Sequence, residues 1–220
     1  KEGRKISKKR VYRVYTEKGL QLKRKKRRRD YVPIVEAVFL KEKLGINIIL
    51  DIKRPEPYKI IRGDFTELRT VSGKYHFIAY LCDYSKKILG WSLGRGPDAP
   101  TALKALKKAL AYADENSYIH QDQGSAFTSE AYVAELLKHN VFISYSEKGT
   151  PTDNGSLESF FGRFKDEWSG KYYWCKNINE LNLLINTAII YYNTQRIHTA
   201  LNDTPEAFLS NQQKRKKVSS

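Results

Sequence analysis

The sequence contains no methionine, only two cysteines and no long apolar run. Cys82 and Cys175 are too few for a disulfide framework or a structural zinc site, and Cys82 lies in an apolar run typical of a core. No run approaches the roughly 20 apolar residues of a membrane span, so we expect no membrane partner. Because the chain starts at Lys1 without a methionine, we expect it to be the downstream part of a longer reading frame.

Acidic residues are scarce at both ends of the chain. Residues 1–30 contain 15 Lys or Arg against 3 acids, and residues 214–217 are all basic. Since the formal charge of the chain is +16, residues 31–213 are neutral overall. Such blocks are typical of arms that bind nucleic acid or an anionic surface, although a solvated tail is the alternative. The longest basic run consists of Lys23, Arg24, Lys25, Lys26, Arg27, Arg28 and Arg29.

The remaining sequence is apolar enough for one globular core, since hydrophobic residues make up 40% of the 220 residues. Helical spacing at 7–18, with Gly19 as a stop, predicts a helix near the N-terminus. A second helical pattern covers 33–44. We divide the chain into a basic N-terminal arm at 1–30, a linker with this helical pattern at 31–57, a core with C-terminal helices at 58–212, and a basic tail at 213–220.

Within the core, strand and helix patterns follow one another. Their order favours an α/β fold with a mixed five-stranded sheet and helices on both faces. The predicted strands are 58–66, 75–83, 87–93, 118–121 and 141–145. The predicted helices are 97–115, one to about 139 that Thr128 or Ser129 can cap, 154–168 with Asn154 or Asp153 as cap, 180–193, and one that opens with Thr204 as cap. The helix at 154–168 has one apolar stripe, which consists of Leu157, Phe160, Phe161, Phe164 and Trp168.

Three acids stand at the edges of these elements. Asp64 lies in the strand pattern 60–66, Asp122 follows the predicted strand 118–121 into a turn, and Glu158 follows a helix-start signal. Asp122 and Glu158 are separated by 35 residues. Each acid taken singly also has a structural interpretation. Asp64 suits a strand-end residue, Asp122 an ordinary turn acid, and Glu158 an acid that favours a helix N-terminus.

Taken together, the three carboxylates suggest a metal site. Carboxylates gathered without a cation would repel one another, and Mg²⁺ prefers hard oxygen ligands. Two Mg²⁺ ions about 3.5–4 Å apart can support the attacking and leaving oxygens of a phosphodiester. We therefore interpret Asp64, Asp122 and Glu158 as one site for cutting and joining DNA.

The sequence resembles the catalytic region of bacterial insertion-sequence transposases with a retroviral-integrase-type core. The resemblance is carried by HQDQGSAFTS (120–129), ISYSEKGTPTDNGSLESFFGRFKDEW (143–168) and YYNTQRIHTALNDTPEAF (191–208). It extends to GDFT (63–66), YLCDYSKKILGWSL (80–93) and, more loosely, RVYTEKGLQLKRKKRRR (13–29). The chain departs from the family in having Ile60 and Ile61 where members tend to have a tryptophan, and we expect its upstream helix-turn-helix region to be truncated at Lys1.

This resemblance implies an RNase H-like fold and a D,D(35)E triad that falls on Asp64, Asp122 and Glu158. It further implies two Mg²⁺ (or Mn²⁺) ions, transposon ends and target DNA as substrates, and a bacterial, cytoplasmic, nucleoid-associated protein. We expect a homo-oligomer on DNA, because two transposon ends must be handled together. A metal-dependent nuclease of the same fold without strand transfer, and an inactive DNA-binding remnant, stay open as alternatives.

Several other residues have both a functional and a structural interpretation. Asn154 suits either a close approach of DNA or a helix cap. Lys165 lies two helical turns after Glu158, and it suits either a contact with a DNA phosphate or a solvated position. Arg196 and His198 are predicted to pack the C-terminal helices. His120 and Asp83 are interpreted as structural residues.

Overall fold

The computed structural model describes residues 7–19, 44–50, 52, 55–147 and 154–218, with side chains described as far as residue 212. The chain divides into two units, Lys1–Val32 and Pro33–Ser220. The described residues form the following elements in chain order: α1 (Lys8–Glu17), β1 (Leu44–Ile46), β2 (Ile60–Thr70), β3 (Gly73–Cys82), β4 (Ile88–Gly94), α2 (Ala99–Leu110), β5 (Tyr118–Gln121), α3 (Glu130–Lys138), β6 (Phe142–Tyr145), α4 (Gly155–Tyr172), α5 (Ile178–Thr194) and α6 (Pro205–Val218).

The first unit contains α1, and the predicted helix at 7–18 is confirmed. Ser7 is the N-cap, and its side-chain oxygen accepts a hydrogen bond from the Arg10 amide at 3.4 Å. The helix ends before Gly19, whose φ of 64° is a conformation that glycine adopts without strain. The basic run at 23–29 lies outside the described residues, as does the helical pattern at 33–44 apart from Leu44.

The second unit is built on one mixed sheet in the order β1-β6-β5-β2-β3-β4. β1, β6, β5 and β2 are parallel neighbours, whereas β2, β3 and β4 form an antiparallel meander. The sheet therefore has the predicted mixed character. It contains one strand more than the five predicted, because β1 lies in the stretch that the sequence indicated as a linker. Three residues at the edge of a sheet are too few to show a strand period.

β3 is the central strand of the meander, and it is buried on both faces. Because side chains alternate along a strand, Ile78 and Tyr80 lie on one face whereas Phe77 and Ala79 lie on the other. α2 and α3 cover the first face, and α4 and α5 cover the second. The prediction of helices on both faces of the sheet is confirmed.

Aromatic packing attaches α4 to the second face. The Phe77 ring contacts Phe160, Phe161 and Phe164, with centroids 5.3–6.4 Å apart. These three phenylalanines and Leu157 form the buried stripe that the sequence predicted for this helix. Burial of such side chains stabilises a fold by about 1.5–3 kcal/mol each, so the stripe determines which side of α4 faces the sheet.

The predicted N-caps were correct in position but not always in hydrogen bonding. Ser129 and Asn154 occupy the N-cap positions of α3 and α4, yet neither side chain makes a capping hydrogen bond. Ser129 Oγ instead donates to the Ala126 carbonyl at 2.9 Å. Thr204 caps α6 as predicted, since its Oγ1 accepts the Ala207 amide at 3.2 Å.

Among the described residues, no helix combines the length and the apolar character that crossing a lipid bilayer would require.

Candidate active site

Asp64 lies on β2, which ends at Thr70, four residues beyond the end of the predicted strand 58–66. Its Oδ1 accepts a hydrogen bond from the Phe65 amide at 2.7 Å. Gly63, directly before it, is required by the Tyr80 ring, since a Cβ at this position would overlap that ring. Gly63 therefore allows the Tyr80 ring to pack against the strand directly before Asp64.

Asp122 follows β5, the parallel neighbour of β2. The two strands pair as far as Arg62 and His120, and each acid comes two residues after that last pair. Each acid therefore lies just past the last pair of these two neighbouring strands, and the Asp122 charge acts on Asp64. Asp122 Oδ1 accepts the Gly124 amide at 2.8 Å, which is the turn predicted at this point.

Glu158 is an exposed residue in the first turn of α4. It lies between the buried Leu157 and Phe160, so the aromatic stripe directs it away from the core. The N-terminal end of a helix favours a negative charge, which is consistent with an acid at this position. The cap residue Asn154 is 8% exposed, and its Oδ1 has no hydrogen-bond partner among the described atoms.

The three acids act on one another electrostatically. The pKa of Asp64 is raised from 3.8 to about 6, mainly by burial; the hydrogen bond from the Phe65 amide opposes this rise, and the negative charges of Asp122 and Glu158 contribute to it. Two acids that are distant in the sequence therefore repel the charged form of Asp64. A nearby cation would relieve this repulsion.

The donor set fits a hard divalent cation, since it consists of three carboxylates. However, in the part of the chain that the structure describes, no three His, Cys, Asp or Glu side chains stand close enough together to hold a metal ion. The predicted residues thus share one electrostatic environment without forming a closed ligand cluster.

A buried polar network lies beside Asp122, and the sequence did not predict it. Tyr132 on α3 donates a hydrogen bond to Gln121 Oε1 at 2.9 Å, and the Tyr80 and Tyr132 hydroxyl oxygens are 2.5 Å apart. All three side chains are fully buried. Burial raises the pKa of both tyrosines, so both hydroxyls stay neutral and able to donate. The alternation of a strand and the stripe of a helix indicate burial, but not which hydroxyls meet.

Asp83 has three side-chain partners. The sequence indicated a structural acid at this position but did not predict any of these partners. Its carboxylate oxygens lie 3.1 Å from an Arg62 nitrogen, 2.8 Å from Lys86 Nζ and 2.8 Å from Ser156 Oγ. Burial acts to raise its pKa, but the Arg62 and Lys86 charges prevail and lower it to about 2. Asp83 is therefore charged and joins the meander to the start of α4.

The predicted DNA-contact residues are only partly described. Lys165 lies on α4 and is partly exposed, whereas the run at 23–29 is outside the described residues. Arg196 forms an ion pair with Glu167 of α4 at 2.7 Å, in agreement with a packing role. His120 is fully buried, with Nδ1 2.9 Å from Ser144 Oγ, as expected of a structural histidine.

Burial lowers the pKa of His198, and the neighbouring Arg163, Lys86 and Arg196 charges lower it further. The His198 amide donates to the Asp203 carbonyl at 2.9 Å. This histidine therefore helps to shape the segment between α5 and α6 and is held in its neutral form.

Comparison with known proteins gives the family of this core. Two models of the integrase core domain match the chain, at residues 54–151 and 139–205. A transposase of insertion sequence element IS904 from Lactococcus lactis is 29% identical over 70% of this chain, and transposase InsF of IS3A from Escherichia coli is 36% identical over 48% of it. The chain spans 62% and 37% of these relatives, respectively.

A protein of insertion element IS407 from Burkholderia multivorans is 27% identical over 92% of this chain and 68% of its own length. The fold is similar to that of the HTLV-2 integrase catalytic core, with a TM-score of 0.56, 19% identity, and coverage of 69% of this chain and 96% of that one. The BIV integrase core gives a TM-score of 0.54 at 14% identity, over 72% and 99% of the two chains. The predicted RNase H-like class is thereby confirmed.

The architecture, the matched core models and the related transposases agree, and the chain belongs to the insertion-sequence transposases that carry a retroviral-integrase-type core domain.

Proposed function

We propose that this chain is the catalytic part of a DNA transposase, a polynucleotidyl transferase that cleaves DNA at transposon ends and joins those ends to target DNA. Asp64, Asp122 and Glu158 are its catalytic residues. The observation that carries the proposal is the integrase-type core at residues 54–151 and 139–205, within which the charges of Asp122 and Glu158 act on Asp64. Acids brought within electrostatic range by three separate elements are typical of a catalytic site rather than of a solvated surface.

The proposed triad would hold two Mg²⁺ or Mn²⁺ ions through its carboxylate oxygens. When bound, such ions increase the nucleophilicity of the attacking oxygen and neutralise charge at phosphorus and on the leaving oxygen. The similar HTLV-2 integrase core was solved in complex with magnesium, which supports the choice of ion. The three side chains do not converge fully in the structure, so loading would require Glu158 and the strand acids to approach one another.

Each element makes a distinct contribution to the proposed reaction. The pairing of β2 with β5 brings together the two segments that lead into Asp64 and Asp122. The first turn of α4 carries Glu158, whose charge acts on Asp64. Asp64 must lose its proton before it can bind a cation, and its raised pKa places this loss near pH 6.

The DNA chemistry proceeds in two transfers in this proposal. Water first attacks the phosphodiester at the transposon end and leaves a 3′-hydroxyl. That hydroxyl then attacks a phosphodiester of the target in line, which forms the new bond and releases the target's own 3′-oxygen. No bond forms between protein and DNA, since the triad consists of ligands rather than nucleophiles.

Basic residues supply the DNA affinity in this proposal. Lys165, on the same face of α4 as Glu158, contacts a DNA phosphate, and Asn154 lets a strand approach the start of that helix. The run at 23–29 and the tail at 214–217 add contacts to the backbone that carry no sequence information. Two transposon ends require at least two copies of the chain. A related simian T-cell lymphotropic virus structure is an intasome, which supports an oligomer on DNA.

The test is a Mg²⁺-dependent assay with DNA carrying the ends of the element, scored for both nicked and joined products. Glu158→Gln should abolish both products and leave DNA binding intact, because the substitution removes one ligand charge without changing the shape of α4. Loss of activity by at least about 10³-fold is expected for a catalytic group. Asp166→Asn, an exposed acid on the same helix, is the matched control and should retain both products.

The products also separate this function from its two alternatives. Nicks without joined strands would identify a nuclease of the same fold. DNA binding without either product would indicate an inactive remnant. Full activity of the Glu158→Gln protein would disprove the assignment of the triad.

A further inference from the structure

The side chain of Asp83 connects three segments of the fold. It follows β3, and its own amide donates to the Ile60 carbonyl at 2.9 Å, which fixes its backbone to the start of β2. One carboxylate oxygen faces Arg62 at 3.1 Å, and the other faces both Lys86 and Ser156 at 2.8 Å. Lys86 Nζ also donates to Ser156 Oγ at 2.9 Å, so Asp83, Lys86 and Ser156 form a closed triangle of hydrogen bonds.

This cluster lies beside two of the proposed catalytic acids. Arg62 comes two residues before Asp64 on β2 and therefore projects from the same face of the sheet. Ser156 comes two residues before Glu158, in the same first turn of α4. The cluster is thus a direct polar connection between the strand that carries Asp64 and the helix turn that carries Glu158.

This polar connection restricts the position of α4 along its axis, which the apolar packing of the helix does not do. The aromatic stripe from Leu157 to Phe164 selects the face of the helix that is buried, but apolar contacts are not directional. Hydrogen bonds to a charged group have preferred lengths and angles, so they determine position along the helix axis more tightly. The Asn154 side chain makes no capping bond at this end of the helix. Ser156 therefore provides a directional contact in this turn.

Charge and burial make the cluster persistent. The Asp83 and Arg62 side chains are 13% and 15% exposed, and that of Lys86 is 24% exposed. Ion pairs at this depth are screened less by solvent than surface pairs, and separation of the partners would leave charges poorly hydrated. The cluster of Asp83, Arg62, Lys86 and Ser156 should therefore stay formed when no DNA is bound.

We propose that Asp83 and Ser156 are positioning residues that fix the first turn of α4 against β2 and so determine where Glu158 stands relative to Asp64. This inference rests on the proposed function of the triad. Neither residue contacts DNA in the proposal, and both act through Glu158. The function of this cluster is thus to pre-order the site, so that less ordering is required when the cations bind.

The test compares Ser156→Ala with Ser156→Thr. Alanine removes the hydroxyl but leaves the pairs of Asp83 with Arg62 and Lys86, so the protein should fold, whereas threonine keeps the hydroxyl. For the alanine variant we expect the Mg²⁺ concentration that gives half-maximal strand transfer to rise about tenfold, as is typical when a support of a metal ligand is lost. The threonine variant should stay close to wild type. Ser169→Ala, an exposed serine at the other end of α4, is the control for loss of a hydroxyl from this helix.

Amide hydrogen exchange, measured without metal or DNA, provides a second readout. Faster exchange in the first turn of α4, confined to Ser156→Ala, is expected together with the shifted Mg²⁺ dependence. Faster exchange with unchanged Mg²⁺ dependence would overturn the positioning role, because the contact would then be structural only. Wild-type behaviour of Ser156→Ala in both readouts would overturn it as well.

These results are distinguishable from a failure of the proposed function. If the wild-type chain showed no Mg²⁺-dependent cleavage or joining, the function itself would be wrong, and the positioning role would be withdrawn with it. If the wild-type chain were active and lost activity with Glu158→Gln, only the Ser156 variants would decide the positioning role.

Discussion

At the scale of single residues, Asp64 is held in conditions that oppose its own charge. It is partly buried, and its pKa lies at about 6 instead of 3.8. The folded protein therefore binds this proton more tightly than the unfolded chain, so stability declines as the pH rises from 3.8 towards 6 and stays lower above that range. The residue proposed as a metal ligand thus reduces the stability of the metal-free protein at neutral pH.

Asp64→Asn should therefore stabilise the metal-free protein at neutral pH while it removes activity. The gain should be at most about 3 kcal/mol, since each pKa unit corresponds to about 1.4 kcal/mol and the site is partly solvated. It should shrink near pH 4, where the wild-type carboxyl is protonated. Urea unfolding with a chelator, at both pH values, measures the difference.

Asp166→Asn is the control for this experiment and should leave the free energy of unfolding unchanged. Added Mg²⁺ should stabilise the wild type and have little effect on Asp64→Asn, because only the wild type retains the proposed ligand. Equal stability of the Asp64→Asn and wild-type proteins at neutral pH would contradict the account.

At the scale of elements, a chain of buried hydrogen bonds joins β3, α3 and β5 next to Asp122. Tyr80 of β3, Tyr132 of α3 and Gln121 of β5 are linked in that order. Since Tyr132 donates to Gln121, the proton between the two tyrosines comes from Tyr80. Tyr132 is therefore the member that satisfies two other buried groups, and it holds α3 against the strand that ends at Asp122.

The two tyrosines should accordingly respond differently to loss of the hydroxyl. Tyr132→Phe leaves a Tyr80 donor and a Gln121 acceptor buried without this partner, so we expect a loss of about 2–4 kcal/mol. Tyr80→Phe leaves the Tyr132–Gln121 bond intact and should cost about 1 kcal/mol. Chemical denaturation of each variant measures the costs, with Tyr112→Phe as an exposed control. A larger cost for Tyr80→Phe than for Tyr132→Phe would disprove this order of donation.

At the scale of the whole molecule, the excess of positive charge and the proposed catalytic residues occupy different parts of the chain. The three acids lie in a segment that is neutral overall, whereas residues 1–30 and 214–217 carry the excess of positive charge. A neutral core does not hold DNA by charge alone. In the proposed function, the basic ends therefore supply most of the DNA affinity that does not depend on base sequence.

Replacement of the seven basic residues at 23–29 by glutamine should weaken DNA binding and flatten its dependence on salt. Each lost phosphate contact should reduce the slope of log K against log salt by about 0.9. Fluorescence anisotropy over a series of salt concentrations measures that slope. The double variant Lys104→Gln and Lys107→Gln, on the exposed face of α2, is the control and should leave the slope unchanged. An unaltered slope in the first variant would indicate a solvated tail.

Local pattern was enough to predict most elements of the second unit. β3 was evident as an apolar run, α4 as a stripe of aromatic residues, and the turn after β5 as Asp122 followed closely by Gly124. These features depend on neighbours within a few residues, so the order of amino acids specifies them directly. β1 could not be predicted in this way, because three residues form a strand only when β6 is beside them.

The sequence by itself determined which acids follow strands or begin a helix, and it placed the excess charge at the two ends. Only the tertiary structure decided that Asp122 and Glu158 raise the pKa of Asp64, that Asp83 meets Arg62 and Ser156, and that Tyr132 joins Tyr80 to Gln121. The reason is that these interactions connect residues far apart in the chain, and their energies depend on distance and burial. Both quantities are established only when the sheet and its helices pack together.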